Sequence, residues 1–323
     1  MQGPQIIAHG DFDGVVSAAL AGLWSGIEQF FYTGPESVRR IEMDPRDIVC
    51  DLPHPMRAIR AWFDHHASNI EEASATGWSA GEGVAREAPS AARVIFEYLK
   101  DRANFPDFLA ATVDATDLVD TMNYATIEEW LAETPENIIN NTIYLPGEEM
   151  RQASRYLRRL TTMIQHRPLV EVAQYDEVRD RHRRAKEHAR QAAEMIRRIG
   201  RLFADDRICL LDFSEMKVAP RFSRNLAYTV FPAAQAVLSI NSVMQEGRRT
   251  NDLRVSMSLN PFRRESAAHD CAAILDRLGL GGGHPGAAGG KISAGSKDER
   301  LRLRDKLIAD VTALWREQEK QSG

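Results

Sequence analysis

The feature that most constrains this chain is an alternation in its first part: "QIIAH", then "VVSAALAGLW", then "DIVCDL", then "MRAIRAW" leading into "FDHH". Short apolar runs alternate with segments of helical pattern, which is the cadence of βαβ units around a parallel sheet. In such a sheet the carboxyl ends of the strands open onto one crevice, where ligands bind. His9 and Asp11 follow one run, Asp51 ends a second, and Asp64 to His66 follow a third. Residues distant in sequence are therefore expected to converge.

Further along, "APSAARVIFEYLKDR" reads as a helix with Ser90 at its N-cap. "FPDFLAATVDATDLVD" reads as another, with Asp114 and Asp117 three residues apart on one side. The stretch from Val172 to Leu202 has no proline and no glycine before Gly200, which suits a long exposed helix. The pattern then restarts: "RICLLDF", "QAVLSINSV" and "LRVSMSL" as strands, "AAHDCAAILDRL" as a helix closed by Gly279, then "GGGHPGAAGG". A chain of 323 residues exceeds a single core. The expected architecture is α/β: a parallel-sheet N-terminal domain over 1–170, a helical connector over 171–202, and a smaller mixed α/β domain over 203–323.

A net charge of −5 argues against a surface built to grip duplex DNA. Charge is uneven, with fourteen Arg or Lys against six Asp or Glu from Arg151 to Arg201, a local excess of about +8. A solvated helix face laced with i,i+4 pairs explains that run better than a steering surface. Cys50, Cys209 and Cys271 lie in or beside apolar runs without metal-ligand spacing, which fits a reducing cytoplasm. No run approaches the roughly 18 apolar residues of a membrane span, so no membrane partner is expected.

The chemistry concentrates at strand ends. "HGDFDG" puts His9, Asp11 and Asp13 in one glycine-flanked turn. A helix cap would explain one Asp, but not two with a His. Crowded carboxylates repel, and a divalent cation removes the conflict. Asp51 taken alone reads as a turn former, and its strand-end position raises it to a candidate ligand. In "FDHHAS", adjacent histidines point different ways, so one can ligate a metal while the other faces substrate, with Asp64 fixing a tautomer. Any one of Asp114, Asp117 and Asp120 reads first as a solvated charge. The mixed His/Asp set without thiolate suits Mn²⁺ or Mg²⁺, and its size suits two ions, a pair that clamps the oxygens of phosphoryl hydrolysis.

These motifs, in this order, resemble the DHH phosphoesterase family with its DHH-associated C-terminal domain: "HGDFDG", lone Asp51, "DHH" at Asp64 to His66, an Asp-bearing helix, then "GGGHPGAAGG". The resemblance spans nearly the whole chain. It implies that His9 and Asp11 hold one metal, Asp13 and His65 the other, and that Asp51 bridges them. His66 would face the scissile phosphate as donor or general acid, with Asp64 orienting its neighbours. For the fourth acidic ligand it implies Asp117, with Asp114 in reserve. Gly281, Gly282, Gly283 and His284 would bind the nucleotide or terminal phosphate, assisted by Arg254, or by Arg224 as second choice.

The expected function is two-metal hydrolysis of phosphodiester bonds in short single-stranded oligonucleotides or dinucleotides, since the chain has no obvious run of stacking aromatics. Phosphatase action on adenosine bisphosphate, pyrophosphate or polyphosphate is the second choice. A silent nucleotide-binding regulatory module and a structural assembly protein using the basic helix are rivals from other classes. The expected location is cytoplasmic, and formation of a homodimer stays open.

Overall fold

The apolar runs of the first half become five short strands: β1 (Ile6–His9), β2 (Phe30–Thr33), β3 (Ile48–Cys50), β4 (Ala61–Asp64) and β5 (Val84–Ala85). They form one wholly parallel sheet in the order β2-β1-β3-β4-β5. In the computed structural model, residues 3–216, 220–245, 248–263, 266 and 268–322 are described. The chain divides into two units, Met1–Tyr124 with Glu128–Ala185, and Ala125–Ile127 with Lys186–Gly323.

In the first unit the helices are α1 (Phe12–Ser25), α2 (Ala67–Thr76), α3 (Ala91–Leu99), α4 (Phe108–Asp120), α5 (Ile127–Leu131), α6 (Pro135–Ile143), α7 (Met150–His166) and α8 (Leu169–Val172), α5 lying at the boundary between units. The core joins one face of the sheet to α1, α3, α4 and α7 through Ile6, Phe12, Val15, Phe63, Ile95, Val113 and Leu160, all almost fully buried. Helix α1 is buried all round its first three turns, Asp13 and Ser17 included, as befits a helix covered on every side.

Two local readings change. "MRAIRAW" is not helical: residues 51–60 form bends, Met56 has a positive φ of 58°, and the run delivers only β4. Ala61 and Trp62 are taken by the sheet, paired with Ile48 and Val49 of β3, which leaves only residues 56–60, too short a stretch to sustain a helix. "FFYT", unassigned from sequence, is β2, whose aromatic and β-branched residues suit a strand.

Helix α9 (Asp176–Ile199) carries residues of both units. Its exposed charges pair along its own surface, Arg183 with Asp180 and Arg190 with Glu187 and Glu194, as a solvated face should. Arg181 differs. Buried, it forks onto Glu148 at 2.5 and 2.8 Å, donates to the Thr142 carbonyl, and lies over the Tyr156 ring. No described helix is long and apolar enough to cross a membrane.

The second unit holds a six-stranded mixed sheet made of β6 (Arg201–Phe203), β7 (Ile208–Phe213), β8 (Ala236–Gln245), β9 (Arg248–Leu259), β10 (Gly283–His284) and β11 (Ala287–Ile292). Its order is β10-β11-β9-β8-β7-β6, with only β7 and β8 parallel. Helices α10 (Leu226–Val230), α11 (Cys271–Arg277) and α12 (Lys297–Ser322) complete it. Leu238, Val255, Met257 and Ala288 face α11 and α12 in its core.

Candidate metal centre

The site begins where β1 ends. Asp11 caps α1, its Oδ1 accepting the Gly14 N–H at 2.9 Å, and its Oδ2 lies 2.7 Å from His9 Nδ1. One residue thus serves both as cap and as partner of the histidine. Helix α1 approaches the strand so closely that a Cβ on Gly14 would sit 2.1 Å from the His9 carbonyl oxygen. Ala is ordinarily the better helix former, but here it is expected to destabilise: Gly14→Ala should cost at least about 3 kcal/mol, read by urea unfolding. A neutral result would mean that the close packing of α1 on β1 is not needed.

Asp13, in the first turn of α1, is buried. Its oxygens accept the Ala91 and Ala92 N–H groups at 2.7 and 2.8 Å, and Ser17 Oγ donates at 3.2 Å. Asp51 follows β3 with φ 55°, a left-handed conformation that Asp tolerates better than most side chains, and its N–H is pinned to the Phe63 carbonyl at 2.8 Å. It is 2% exposed, and neither carboxylate oxygen has a hydrogen-bond partner. Oδ2 lies 3.5 Å from His9 Nδ1, and Oδ1 lies 3.6 Å from His65 Nε2.

After β4 the chain turns through Asp64, which is fully buried and accepts four donors. These are the N–H groups of His65 and His66 at 2.8 and 3.3 Å, His66 Nδ1 at 2.8 Å and Asn69 Nδ2 at 2.6 Å. With Nδ1 so held, His66 turns its other nitrogen away, and half its side chain is exposed. His65 is set differently, with Nδ1 3.0 Å from the Ala88 carbonyl and Nε2 buried without a hydrogen-bond partner.

Of the three acids of α4, Asp120 is the one beside His65. Its Oδ2 lies 3.6 Å from His65 Nε2, whereas Asp117, favoured from sequence, accepts Ser90 Oγ at 2.6 Å and Arg93 Nε at 2.8 Å. Asp114 also pairs with Arg93. Arg93, a cation at the start of α3, occupies two acids of "DATDLVD". Among the described residues, three groups have donor atoms within 4.8 Å of one another: the donor sets His9/Asp11/Asp51 and Asp13/His65/Asp120, which share no residue, and Asp51/His65/His66, in which His66 Nδ1 is already held by Asp64 at 2.8 Å. Asp51 lies beside both of the first two.

Burial and mutual repulsion load this cluster with protons. Burial, then Asp120 and Asp11, pushes Asp13 up to about 7. Burial, then Asp13, Asp11 and Asp120, pushes Asp51 well above the carboxylate range. Burial, then Asp11, pushes Asp120 up to about 6. Burial opposes charge on His9, yet the Asp11 hydrogen bond and the surrounding acids raise its pKa. Asp11 alone goes down, because its bonds to His9 and Gly14 outweigh its burial. Cys50, behind Asp51, is held as a thiol by burial and these acids, so no thiolate joins the set.

Buried, unpartnered oxygens between two imidazoles fit divalent cations, and hard His/Asp donors fit Mn²⁺ or Mg²⁺. A consequence is testable. The acids that are raised bind protons more tightly in the folded state than unfolded, so metal-free stability should fall as pH rises from about 4 through about 7. The raised His9 and His66 act in the same direction. Scanning fluorimetry in EDTA should show the melting temperature dropping from about pH 5 to 8, with Mn²⁺ restoring more of it at each step. A Mn²⁺ effect independent of pH would contradict the assignment.

In the second unit, the glycine run is first a packing requirement. A Cβ on Gly283 would lie 2.4 Å from the Ala287 carbonyl, and one on Gly290 would lie 1.5 Å from that of Leu280. Gly281 has φ 130°. Gly282 alone meets nothing and is exposed. His284 is exposed, with Nδ1 accepting the Gly286 N–H at 3.2 Å. It pairs across β11 with Ala287, which pairs with Ser258, while Arg254 lies four residues along β9, exposed and opposite Lys291. Antiparallel partners share a face, so Arg254 and His284 flank Ser256, Ser258 and Gly289 on the face opposite the core. Arg224, the second choice, lies just before α10 and is half-buried.

No family model matches the chain, and no curated protein matches it. Solved structures do. PggH, a pGpG-specific phosphodiesterase from Vibrio cholerae, aligns with a TM-score of 0.70 at 22% identity, over 96% of this chain and 99% of that one. RecJ from Thermus thermophilus in complex with Mn²⁺ aligns at 0.52 and 15% identity, over 96% of this chain and 51% of that one. An exopolyphosphatase-related protein from Bacteroides fragilis aligns at 0.50 and 10% identity, over 96% and 92%. The fold is shared with all three.

Proposed function

We propose that this chain is a DHH-family phosphoesterase that hydrolyses phosphodiester bonds of short single-stranded oligonucleotides or dinucleotides with two divalent cations. The observation that carries the reading is Asp51, a buried carboxylate with two unpartnered oxygens, each turned to the histidine of a different donor set. His9, Asp11 and Asp51 would hold one Mn²⁺ or Mg²⁺, and Asp13, His65 and Asp120 the other, with Asp51 shared. Such ions, when bound, supply the positive charge that polarises a phosphoryl group and activates water.

The chain supplies the rest. Asp64 accepts from His66 Nδ1 and raises that imidazole's pKa against the opposing effect of burial. The outward Nε2 is thereby kept as a proton donor for a phosphoryl or leaving oxygen. Asp64 also accepts both loop N–H groups and Asn69, so the two histidines have a fixed seat. In the second unit Arg254 and His284 are the groups we assign to substrate phosphate, Arg254 by its planar fork. A dinucleotide is favoured over longer strands because the fold likeness to a pGpG phosphodiesterase covers both chains almost completely.

The test is to incubate Mn²⁺-loaded protein with pGpG, pApA, adenosine 3′,5′-bisphosphate, short RNA and DNA, cyclic dinucleotides and pyrophosphate, and to separate the products by chromatography. Mononucleotides from the linear dinucleotides are the expected result. Turnover of bisphosphate or pyrophosphate alone would move the assignment to the phosphatase reading. Tight nucleotide binding with no turnover of any substrate would favour a regulatory module.

A further inference from the structure

One short segment touches two members of one donor set and is bonded to the helix that carries the third. The Ala88 carbonyl orients His65, and the Ala91 and Ala92 N–H groups hold both oxygens of Asp13. Between them sits Ser90, fully buried, whose Oγ accepts the Arg93 N–H at 3.0 Å as the N-cap of α3 and donates to Asp117 at 2.6 Å. Asp117 also accepts Arg93 Nε, and three residues later α4 ends in Asp120, the remaining member of that set. None of these hydrogen bonds reaches His9, Asp11 or Asp51.

We propose that Ser90, Arg93 and Asp117 form a positioning clamp that registers α3 against α4 and thereby sets the geometry of the Asp13/His65/Asp120 donor set alone. The inference rests on the two-cation reading above. A cation there would need Asp13 and Asp120, on separate helices, at a fixed separation from His65, and among the bonds described the direct side-chain links between α3 and α4 are those of Asp117 and Asp114 to Ser90 and Arg93. Asp114 is largely exposed, so its pair with Arg93 is screened by solvent. Asp117, at 18% exposure and with both oxygens engaged, is the effective joint. An acid that looked like a ligand from sequence is assigned instead to hold the ligands in place.

The test is Mn²⁺ titration by calorimetry and low-temperature electron paramagnetic resonance on wild type, Asp117→Asn and Ser90→Ala, with circular dichroism in EDTA to report folding. In Asp117→Asn one carboxylate oxygen becomes an amide that cannot accept, so one of the two bonds is lost. Ser90→Ala breaks the same link from the other end without altering charge. Wild type is expected to bind two ions with a spin-coupled spectrum. Each variant should keep one ion at wild-type affinity, bind the second about 10–100-fold more weakly, and lose the coupled signal. Ser90→Thr, which retains the hydroxyl, should recover it. Two ions at wild-type affinity in both variants, or equal weakening of both ions, would overturn the clamp while leaving the two-cation reading intact. Absence of any Mn²⁺ binding by wild type would overturn that reading and the clamp with it.

Discussion

Asp51→Asn is expected to lower Mn²⁺-dependent kcat/KM by at least about 10³-fold, some 4 kcal/mol of transition-state stabilisation, while raising the melting temperature of the metal-free protein. The two signs come from one residue. As a carboxylate Asp51 is buried without a hydrogen-bond partner and surrounded by Asp13, Asp11 and Asp120, an arrangement that disfavours the folded state unless cations are present. Asparagine removes the charge, keeps the volume and tolerates the left-handed backbone, so the fold loses a liability and the proposed cation pair loses its shared ligand. Each kcal/mol gained should appear as roughly 2–4 °C in the melting temperature in EDTA. An Asp51→Asn protein that melts lower than wild type without metal would show that Asp51 has a stabilising partner among the groups around it. Retained turnover would show that the two sets do not share it.

The second large effect is at His66. His66→Ala should reduce turnover of a linear dinucleotide by about 10²–10⁴-fold and leave Mn²⁺ affinity nearly unchanged, because Nδ1, although 3.7 Å from Asp51, is committed to Asp64 at 2.8 Å. The leaving group separates its two candidate roles. A sugar hydroxylate departs poorly without a proton, whereas p-nitrophenolate is already a stabilised anion. If His66 protonates the leaving oxygen, the loss on bis-p-nitrophenyl phosphate should be far smaller than on the dinucleotide. Equal losses on both substrates would instead assign His66 to charge stabilisation at a non-bridging oxygen. The protonated imidazole is lost as pH rises through its raised pKa, so an acid role also predicts an alkaline fall in rate that the variant lacks.

Much of this arrangement was legible because strand ends in a parallel sheet lie side by side. That rule alone brings His9, Asp51 and the Asp64–His66 turn to one edge, and the structure brings them there. The rule does not extend to helices. Asp114, Asp117 and Asp120 repeat every three residues along α4, and composition cannot say which faces the sheet. Their sorting depends on Arg93, on another helix, and therefore on tertiary packing. The helical pattern in "MRAIRAW" misleads for a similar reason: Ala61 and Trp62 are apolar because they are buried in β4, which periodicity within the run cannot show. The glycine run after α11 was read for its ability to approach a phosphate. Gly281 and Gly283 first have to approach β11, which no count of glycines could distinguish.

The lengths of the outermost strands bear on behaviour at high concentration. β5 and β10 have two residues each, and β6 has three. A foreign strand adding to any of these edges would find only one or two free backbone groups to pair with, too few to offset its ordering. β2, with four residues, is the longest edge, and its Tyr32 hydroxyl is tied to Thr161 of α7. The parallel sheet therefore offers little template for cross-chain growth, whereas in the mixed sheet the ends of β8 and β9, residues 242–245 and 248–252, run past β7 and β11 and are where a foreign strand would find more to pair with.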